Sequence, residues 1–209
     1  MSFKLSKKEI VKEILKCGKD PVYFTNNFCR ISHPLKGLVP FKTYPYQDDL
    51  LNDYNDFRFT VILKARQLGI STITAAYCVW LMLFHRDKNV LVIATKFATA
   101  ANLVKKVKAI MKNLPPWMQV ATISIDNRTS FELSNGSQIK AASTSGDAGR
   151  SEAALIVEPL DNSKDVRLSV VIFAILIQSG RFFIIFLTLR TKLPAVSNLV
   201  AITRMALSR

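Results

Sequence analysis

The segment from Phe59 to Thr72 constrains the fold more than any other part of the chain, because a strand-like run turns there through one glycine into a helix-like run. Residues 59–63 have the length and the β-branched, apolar composition of a buried parallel strand. Residues 73–84 are apolar enough for a buried helix. A strand, a tight loop and a helix in this order direct the unpaired N–H groups of the helix N-terminus at the loop. The segment therefore predicts a loop that binds an anion, and a phosphate in particular.

The loop departs at two positions from the usual phosphate-binding pattern, G-x-x-x-x-G-K-[ST]. In that pattern backbone amides surround the phosphates, a lysine contacts the β- and γ-phosphates, and a hydroxyl binds Mg²⁺. Aligned on Gly69 and Ser71, this chain has Lys64 in place of the first glycine and Ile70 in place of the lysine. Lys64 and Arg66 flank the loop and can supply the displaced positive charge. The alternative is an ordinary turn between a core strand and a core helix, with both cations solvated.

Tyr46 and Gln47 lie at the start of a predicted helix, shortly before the loop strand. A glutamine amide donates and accepts hydrogen bonds at once, which matches the N6 and N7 edge of adenine. We therefore regard Gln47 as a candidate adenine reader, with an ordinary surface glutamine as the alternative.

The composition favours a single domain with a polyanionic partner. The chain has 209 residues, a net charge of +14 and a pI near 9.9, so nucleic acid is the first expected partner and an anionic membrane the second. Its three cysteines form no C-x-x-C pair and it has only two histidines, so neither a disulfide framework nor a zinc site is indicated. The N-terminal lysines precede no apolar run, which argues against a secretory signal. We expect a cytoplasmic protein.

The N-terminal region reads as a helix followed by an arm. Ser6 and Glu9 form a capping-box pattern before an amphipathic helix over residues 6–17. Residues 19–45 contain four prolines and are expected to be irregular. We expect aromatic side chains to anchor this arm on the core: Phe24, Phe28 and Phe41.

The middle of the chain predicts a second strand, a helix and a hairpin. Residues 89–95 form a continuous apolar strand, and residues 97–113 form a helix with one apolar face. The other face of this helix carries lysines that are either simply solvated or follow DNA: Lys105, Lys106, Lys108 and Lys112. Asn135-Gly136 between two short alternating runs predicts a β-hairpin.

A third apolar strand, residues 153–157, ends at Glu158. ATPases of this architecture end such a strand in Asp-Glu, where the Asp holds Mg²⁺ and the Glu polarises the attacking water. Here Pro159 follows Glu158, so one of the two acids is missing. Glu158 fills either the metal position or the catalytic position, and each loss predicts slow hydrolysis.

These parts, in this order, resemble the ATPase domain of the large terminase subunit, the DNA-packaging motor of tailed bacteriophages. The resemblance extends from about residue 16 to residue 158 and depends most on the deviant loop. It implies an α/β fold of the P-loop NTPase type, with a mainly parallel central sheet flanked by helices and a β-hairpin insertion. The matching segments are Cys17-Gly18-Lys19-Asp20-Pro21, Tyr23-Phe24, Pro40-Phe41, Tyr46-Gln47, Lys64-Ala65-Arg66-Gln67-Leu68-Gly69-Ile70-Ser71, Ala94-Thr95 and Asp147-Ala148-Gly149-Arg150.

The resemblance also implies ATP and Mg²⁺ as cofactors and assigns roles to residues. Tyr46 and Gln47 would bind adenine, and Lys64 and Arg66 would neutralise the phosphates. Ser71 would bind Mg²⁺, with Glu158 as the acidic group. The remaining implied nucleotide contacts are Ala65, Gln67, Leu68, Gly69, Ile70, Thr72 and Arg150.

Terminases of this kind translocate double-stranded DNA into a procapsid, so the resemblance implies DNA, a portal protein and a small terminase subunit as partners. It also implies a ring of identical subunits in the host cytoplasm. Two alternatives remain open: a helicase-like ATPase that acts on nucleic acid, and a non-enzymatic basic fragment that binds DNA or a membrane.

The tail differs from the rest of the chain. We divide the sequence into an N-terminal helix and arm (1–45), an incomplete ATPase core (46–158) and a hydrophobic, basic tail (159–209), and we expect the nuclease domain of the family to be absent. Three accounts of the tail remain open: a membrane segment, in which Arg181 would be costly; two strands, 168–177 and 182–189, around a Ser-Gly turn; and a shifted reading frame beginning near Glu158. Resequencing the source DNA tests the last.

Overall fold

The computed structural model describes residues 6–33, 35–57, 60–63, 67–94, 96–143, 168–178, 181–191 and 201–204. These residues form a mixed α/β fold in which helices pack on a mixed sheet. The helices are α1 (Lys7–Lys19), α2 (Pro21–Phe28), α3 (Pro45–Asp56), α4 (Ile70–Phe84) and α5 (Phe97–Lys112), with a 3₁₀ turn at Pro116–Met118. The strands are β1 (Arg30–His33), β2 (Gly37–Pro40), β3 (Thr60–Leu63), β4 (Asn89–Ala94), β5 (Ile123–Asp126), β6 (Ser130–Leu133), β7 (Gln138–Ser143), β8 (Leu168–Gln178), β9 (Arg181–Thr191) and β10 (Ala201–Arg204).

The predicted start of α1 is confirmed. The Glu9 N–H donates to Ser6 Oγ at 3.3 Å, and the Ser6 N–H donates to the Glu9 carboxylate at 2.7 Å. The two residues therefore satisfy two N–H groups at the helix start. The helix extends through Gly18 to Lys19, two residues beyond the predicted end.

The prediction that residues 19–45 are irregular was wrong. The Asp20 carboxylate accepts the Tyr23 N–H at 2.9 Å and caps α2, whose first residue is Pro21. Proline is favoured at the first helical position because its missing N–H would have no partner there. The strands β1 and β2 then pair as an antiparallel hairpin.

The predicted aromatic anchors of this region are confirmed. Phe24 and Phe41 are buried, and the Phe24 ring meets Phe84 of α4 edge to face at 5.4 Å. Phe28 is partly buried and meets Trp117 at 5.4 Å. The N-terminal region is therefore packed on the body of the domain.

The helix α4 lies in the centre of the fold, and its residues 73–83 are all buried. The Trp80 indole N–H donates to the Cys17 carbonyl of α1 at 2.7 Å. On another side, the Tyr54 hydroxyl of α3 bonds Thr74 Oγ1 at 3.1 Å, and the Tyr77 hydroxyl donates to the Tyr54 carbonyl at 3.0 Å. These contacts fix α4 against α1 and α3, and with it the position of the helix N-terminus.

The sequence predicted a mainly parallel central sheet, but in the described residues this sheet is mixed. Its order is β5-β6-β7-β4-β9-β8, in which β4 runs parallel to both neighbours and the other pairs are antiparallel. The loop strand β3 pairs antiparallel with β10 and also lies against β8. A continuous apolar run indicates burial on both faces and does not specify the direction of the neighbouring strand.

The predicted hairpin is confirmed as β6 and β7. Gly136 adopts a left-handed φ of 82° in its turn, a conformation that glycine adopts without a steric penalty. The Asn135 side-chain amide donates to the Met82 carbonyl at the end of α4, at 2.7 Å. The turn is therefore tied to the central helix.

Of the three accounts of the tail, the structure shows strands. The strands β8 and β9 pair antiparallel from Leu168–Thr191 to Gln178–Arg181, and β9 continues the sheet beside β4. In the parts of the chain that the structure describes, no helix is long and apolar enough to cross a membrane. The reading-frame hypothesis stays a prediction, and the third strand predicted for residues 153–157 lies outside the described residues.

Candidate nucleotide-binding site

The loop after β3 ends in two residues with left-handed backbone conformations. Gln67 has a φ of 63° and Gly69 a φ of 71°. Gly69 is the N-cap of α4, and its carbonyl accepts the N–H groups of Thr72 at 2.9 Å and Ile73 at 3.0 Å. The first hydrogen bonds of α4 are therefore made to the carbonyl of this glycine. The positive end of the dipole of the 15-residue helix points at the loop.

The start of α3 holds this loop in place. The Leu68 carbonyl accepts two hydrogen bonds, from the Tyr46 hydroxyl at 3.0 Å and from Gln47 Nε2 at 3.0 Å. Gln47 is 3% exposed, and its Oε1 accepts the Tyr44 N–H at 3.2 Å. Burial, together with the nearby Tyr44, raises the pKa of Tyr46, so its hydroxyl stays protonated and able to donate at neutral pH.

A cleft of about 290 Å³ opens between the β1–β2 hairpin, the start of α3 and the loop. The rings of Tyr44 and Tyr46 stack in its wall, with centroids 5.8 Å apart and planes 6° from parallel. Tyr44 is 63% exposed. Lys42 also lines the cleft, and its ammonium donates to the Asn26 carbonyl at 3.0 Å.

This arrangement combines two features that nucleotides require. An exposed aromatic ring offers a stacking surface to any base, and a glycine-capped helix N-terminus favours phosphate. The cleft volume is close to the lower end of the roughly 300–1,000 Å³ usual for small-molecule sites. The fold and the cleft define a mixed α/β protein with a candidate site for a nucleotide.

The structure brings most of the described site candidates together at this cleft. Ser71 is partly exposed in the first turn of α4 and does not line the cleft, and Ile70 belongs to the hydrophobic core. The position that carries the lysine of the usual pattern is therefore an apolar core position here. The candidates that line the cleft are Tyr46, Gln47, Gln67, Leu68, Gly69 and Thr72.

Five predicted site residues lie outside the described residues: Lys64, Ala65, Arg66, Arg150 and Glu158. Their roles stay predictions.

The sequence analysis missed Tyr44 and Lys42 as cleft residues. The signal was the repeated aromatic in Tyr44-Pro45-Tyr46, in which two tyrosines flank the proline at the first helical position. The structure shows that their rings stack. The β1–β2 hairpin also lines the cleft. No sequence pattern indicated this, and the region was expected to be irregular.

The lysine face of α5 is partly engaged within the protein. Lys108 forms an ion pair with Asp126 of β5 and also donates to the Asn127 carbonyl. Lys112 lies 3.9 Å from the same carboxylate and is exposed, as are Lys105 and Lys106. A surface that follows DNA along α5 would therefore depend mainly on Lys105, Lys106 and Lys112.

Replacing Asp126 with asparagine should slightly lower the stability of the fold at neutral pH. The hydrogen bond from Lys108 holds the pKa of Asp126 below its usual range. The pKa of Asp126 is lower in the folded state than in the unfolded state, where it is about 4. The carboxylate therefore stabilises the fold at pH values above the unfolded-state pKa, and this stabilisation is lost as the pH falls through the folded-state pKa. Urea unfolding at pH 7 and at pH 2.5 measures this. A difference between wild type and Asp126→Asn that stays unchanged at the lower pH would contradict it.

The comparisons with known proteins agree with a distant similarity only. No known protein-family model matches the sequence. Among solved structures, the crystal structure of the HK97 bacteriophage large terminase is similar to this chain with 17% sequence identity and a TM-score of 0.47. The match covers 62% of this chain and 28% of that chain, so this chain spans less than a third of the length of the terminase that it resembles.

Proposed function

We propose that this chain is the nucleotide-binding part of a phage terminase large subunit, an ATPase that drives double-stranded DNA into a procapsid. The observation that carries the proposal is the cleft that is lined both by the stacked Tyr44 and Tyr46 and by Gly69, the N-cap of α4. The order of motifs along the sequence supports the same assignment. The basic charge of the chain supports DNA as its macromolecular partner.

In this proposal the base of ATP lies on the exposed Tyr44 ring and the phosphates lie at the N-terminus of α4. Lys64 and Arg66 neutralise the phosphate charge, and Arg150 senses the nucleotide. The Ser71 hydroxyl, in the first helical turn, fits the position that binds Mg²⁺ in phosphate-binding loops. When bound, Mg²⁺ would neutralise charge on the phosphate oxygens.

The test of the proposal is equilibrium binding of Mg·ATP, with steady-state hydrolysis measured in parallel. We expect the wild-type chain to bind ATP and to hydrolyse it slowly, because only Glu158 stands where the family has two acids. Val157→Asp restores an acidic pair and should raise kcat by about 100-fold, the usual effect of one positioned group. Absence of ATP binding by the wild-type chain would overturn the proposed function.

Two further variants make this test specific. Val157→Asn has the size of the Asp variant without its charge and should leave the rate at the wild-type level. If Glu158 fills the metal position instead, the double variant Glu158→Asp with Pro159→Glu should be the one that gains activity. Hydrolysis by the wild type at the rate of both restored variants would show that the second acid is not needed.

The proposed partners are double-stranded DNA, a portal protein, a small terminase subunit and further copies of the chain in a ring. DNA binding through the basic surface should weaken steeply with salt, since it releases counterions. Stimulation of ATP hydrolysis by DNA together with binding to a portal protein separates a packaging motor from a helicase-like ATPase.

A further inference from the structure

We propose that Tyr46 and Gln47 act as a latch on the phosphate loop and do not read the base, an inference that rests on the proposed function and refines its specificity. The latch consists of the two hydrogen bonds that the Leu68 carbonyl accepts from Tyr46 and from Gln47, each at 3.0 Å. Both residues are then positioning residues, and neither contacts the base edge.

The latch sets the orientation of the peptide bond that begins α4. The peptide bond between Leu68 and Gly69 is trans, and in a trans peptide the C=O and the N–H point in opposite directions. Because the carbonyl points at the start of α3, the Gly69 N–H points away from it. This N–H precedes those of the first helical turn, which are the groups that bind a phosphate at a helix N-terminus.

The geometry around Gly69 supports the same role. A Cβ atom at this position would lie 2.8 Å from Gln47 Nε2, closer than Cβ atoms approach other heavy atoms in folded proteins, so the Gln47 amide would have to shift. The glycine is therefore needed to admit the Gln47 amide to the Leu68 carbonyl, in addition to allowing the left-handed φ. The absence of a side chain at Gly69 and the hydrogen bonds to Leu68 therefore both depend on the close contact between the loop and the start of α3.

The Gln47 amide is already engaged at both ends. Its Oε1 accepts the Tyr44 N–H, its Nε2 donates to the Leu68 carbonyl and to the Tyr46 hydroxyl, and the side chain is almost fully buried. Reading adenine through N6 and N7 requires one acceptor and one donor at an accessible edge. The base is held instead by stacking on Tyr44, which tolerates any base. The site should therefore accept ATP and GTP with affinities within about threefold of each other.

The test compares Mg·ATP, Mg·GTP and inorganic tripolyphosphate with Mg²⁺ on the full chain by isothermal titration calorimetry. Tripolyphosphate has no base, so it reports on the loop alone. Tyr46→Phe removes one hydroxyl and should weaken the binding of ATP and tripolyphosphate by the same factor, about three- to tenfold. Gln47→Ala should do the same. The ratio of the dissociation constant for ATP to that for tripolyphosphate should stay at its wild-type value in both variants.

Tyr54→Phe is the matched control. It removes a tyrosine hydroxyl from the same helix, at the contact with Thr74 and away from Leu68. It should lower the stability of the fold in urea and leave both dissociation constants unchanged. A change in binding in Tyr54→Phe equal to that in Tyr46→Phe would reduce the latch to a general structural effect and overturn it.

Two other outcomes separate the latch from the proposed function. If Gln47→Ala weakens ATP and leaves tripolyphosphate unchanged, Gln47 reads adenine and the latch alone is overturned. A wild-type preference for ATP over GTP of 100-fold or more would have the same meaning. If the wild type binds neither ATP nor tripolyphosphate, the proposed function is overturned and the latch with it.

Discussion

Gly69→Ala is expected to reduce the affinity for Mg·ATP by more than tenfold and to destabilise the fold. Gly69 adopts a φ of 71°, a left-handed conformation that costs a residue with a Cβ about 1–2 kcal/mol. The new Cβ would also collide with Gln47 Nε2 and displace it from the Leu68 carbonyl. Urea unfolding measures the stability, and calorimetric titration with Mg·ATP measures the affinity.

Gly37→Ala separates the two causes. Gly37 has nearly the same φ, 68°, but a Cβ there would meet no atom within 4 Å. This variant should carry the conformational cost alone and leave nucleotide affinity unchanged. If Gly69→Ala and Gly37→Ala lose equal stability and both retain affinity, the collision with Gln47 has no consequence and the loop geometry does not govern binding.

Trp80→Ala is expected to have the largest effect on stability, a loss of about 3–5 kcal/mol. The side chain is 2% exposed in the middle of α4, with its ring 5.4 Å from Tyr77 and 4.8 Å from His85. Its removal leaves a cavity and also deprives the Cys17 carbonyl of the indole N–H. Such a loss is comparable to the whole stability of many domains, about 5–15 kcal/mol. The midpoint of urea unfolding should fall accordingly.

Two variants check the cause of this loss. Trp80→Phe keeps an aromatic ring and loses the hydrogen bond to Cys17, so it should lie between wild type and Trp80→Ala. Val11→Ala on the outer face of α1, at a side chain that is 56% exposed, should change stability by less than about 0.5 kcal/mol. Equal losses in Trp80→Ala and Val11→Ala would contradict the central position of α4.

The local signals in the sequence were sufficient for elements whose hydrogen bonds close within a few residues. The Ser6 and Glu9 pair located the start of α1, and Asn135-Gly136 located the turn between β6 and β7. The long apolar run located α4, because a helix that is apolar all round has to be buried. The same local reasoning failed at Asp20-Pro21, where a helix begins within a region that was expected to be irregular.

The candidate site was predicted in part for the same reason. Gly69 was recognised because it stands between a strand-like run and a helix-like run, and the structure shows that it adopts a left-handed φ of 71°. The part of the cleft wall that contains Ile31, Pro40 and Lys42 comes from the β1–β2 hairpin and the residues after it, which lie close to the loop only in the folded chain.

The sequence by itself determined the start of α1, the position of the central helix α4, where the hairpin turns, and that a glycine precedes the central helix, since these features depend on neighbours a few residues apart. Only the tertiary structure decided that β3 pairs antiparallel with β10 and that the Gln47 amide binds the Leu68 carbonyl, 21 residues away. The physical reason is that a strand or an amide side chain can satisfy its hydrogen bonds with many partners. Which partner it finds is set by the packing of the whole chain.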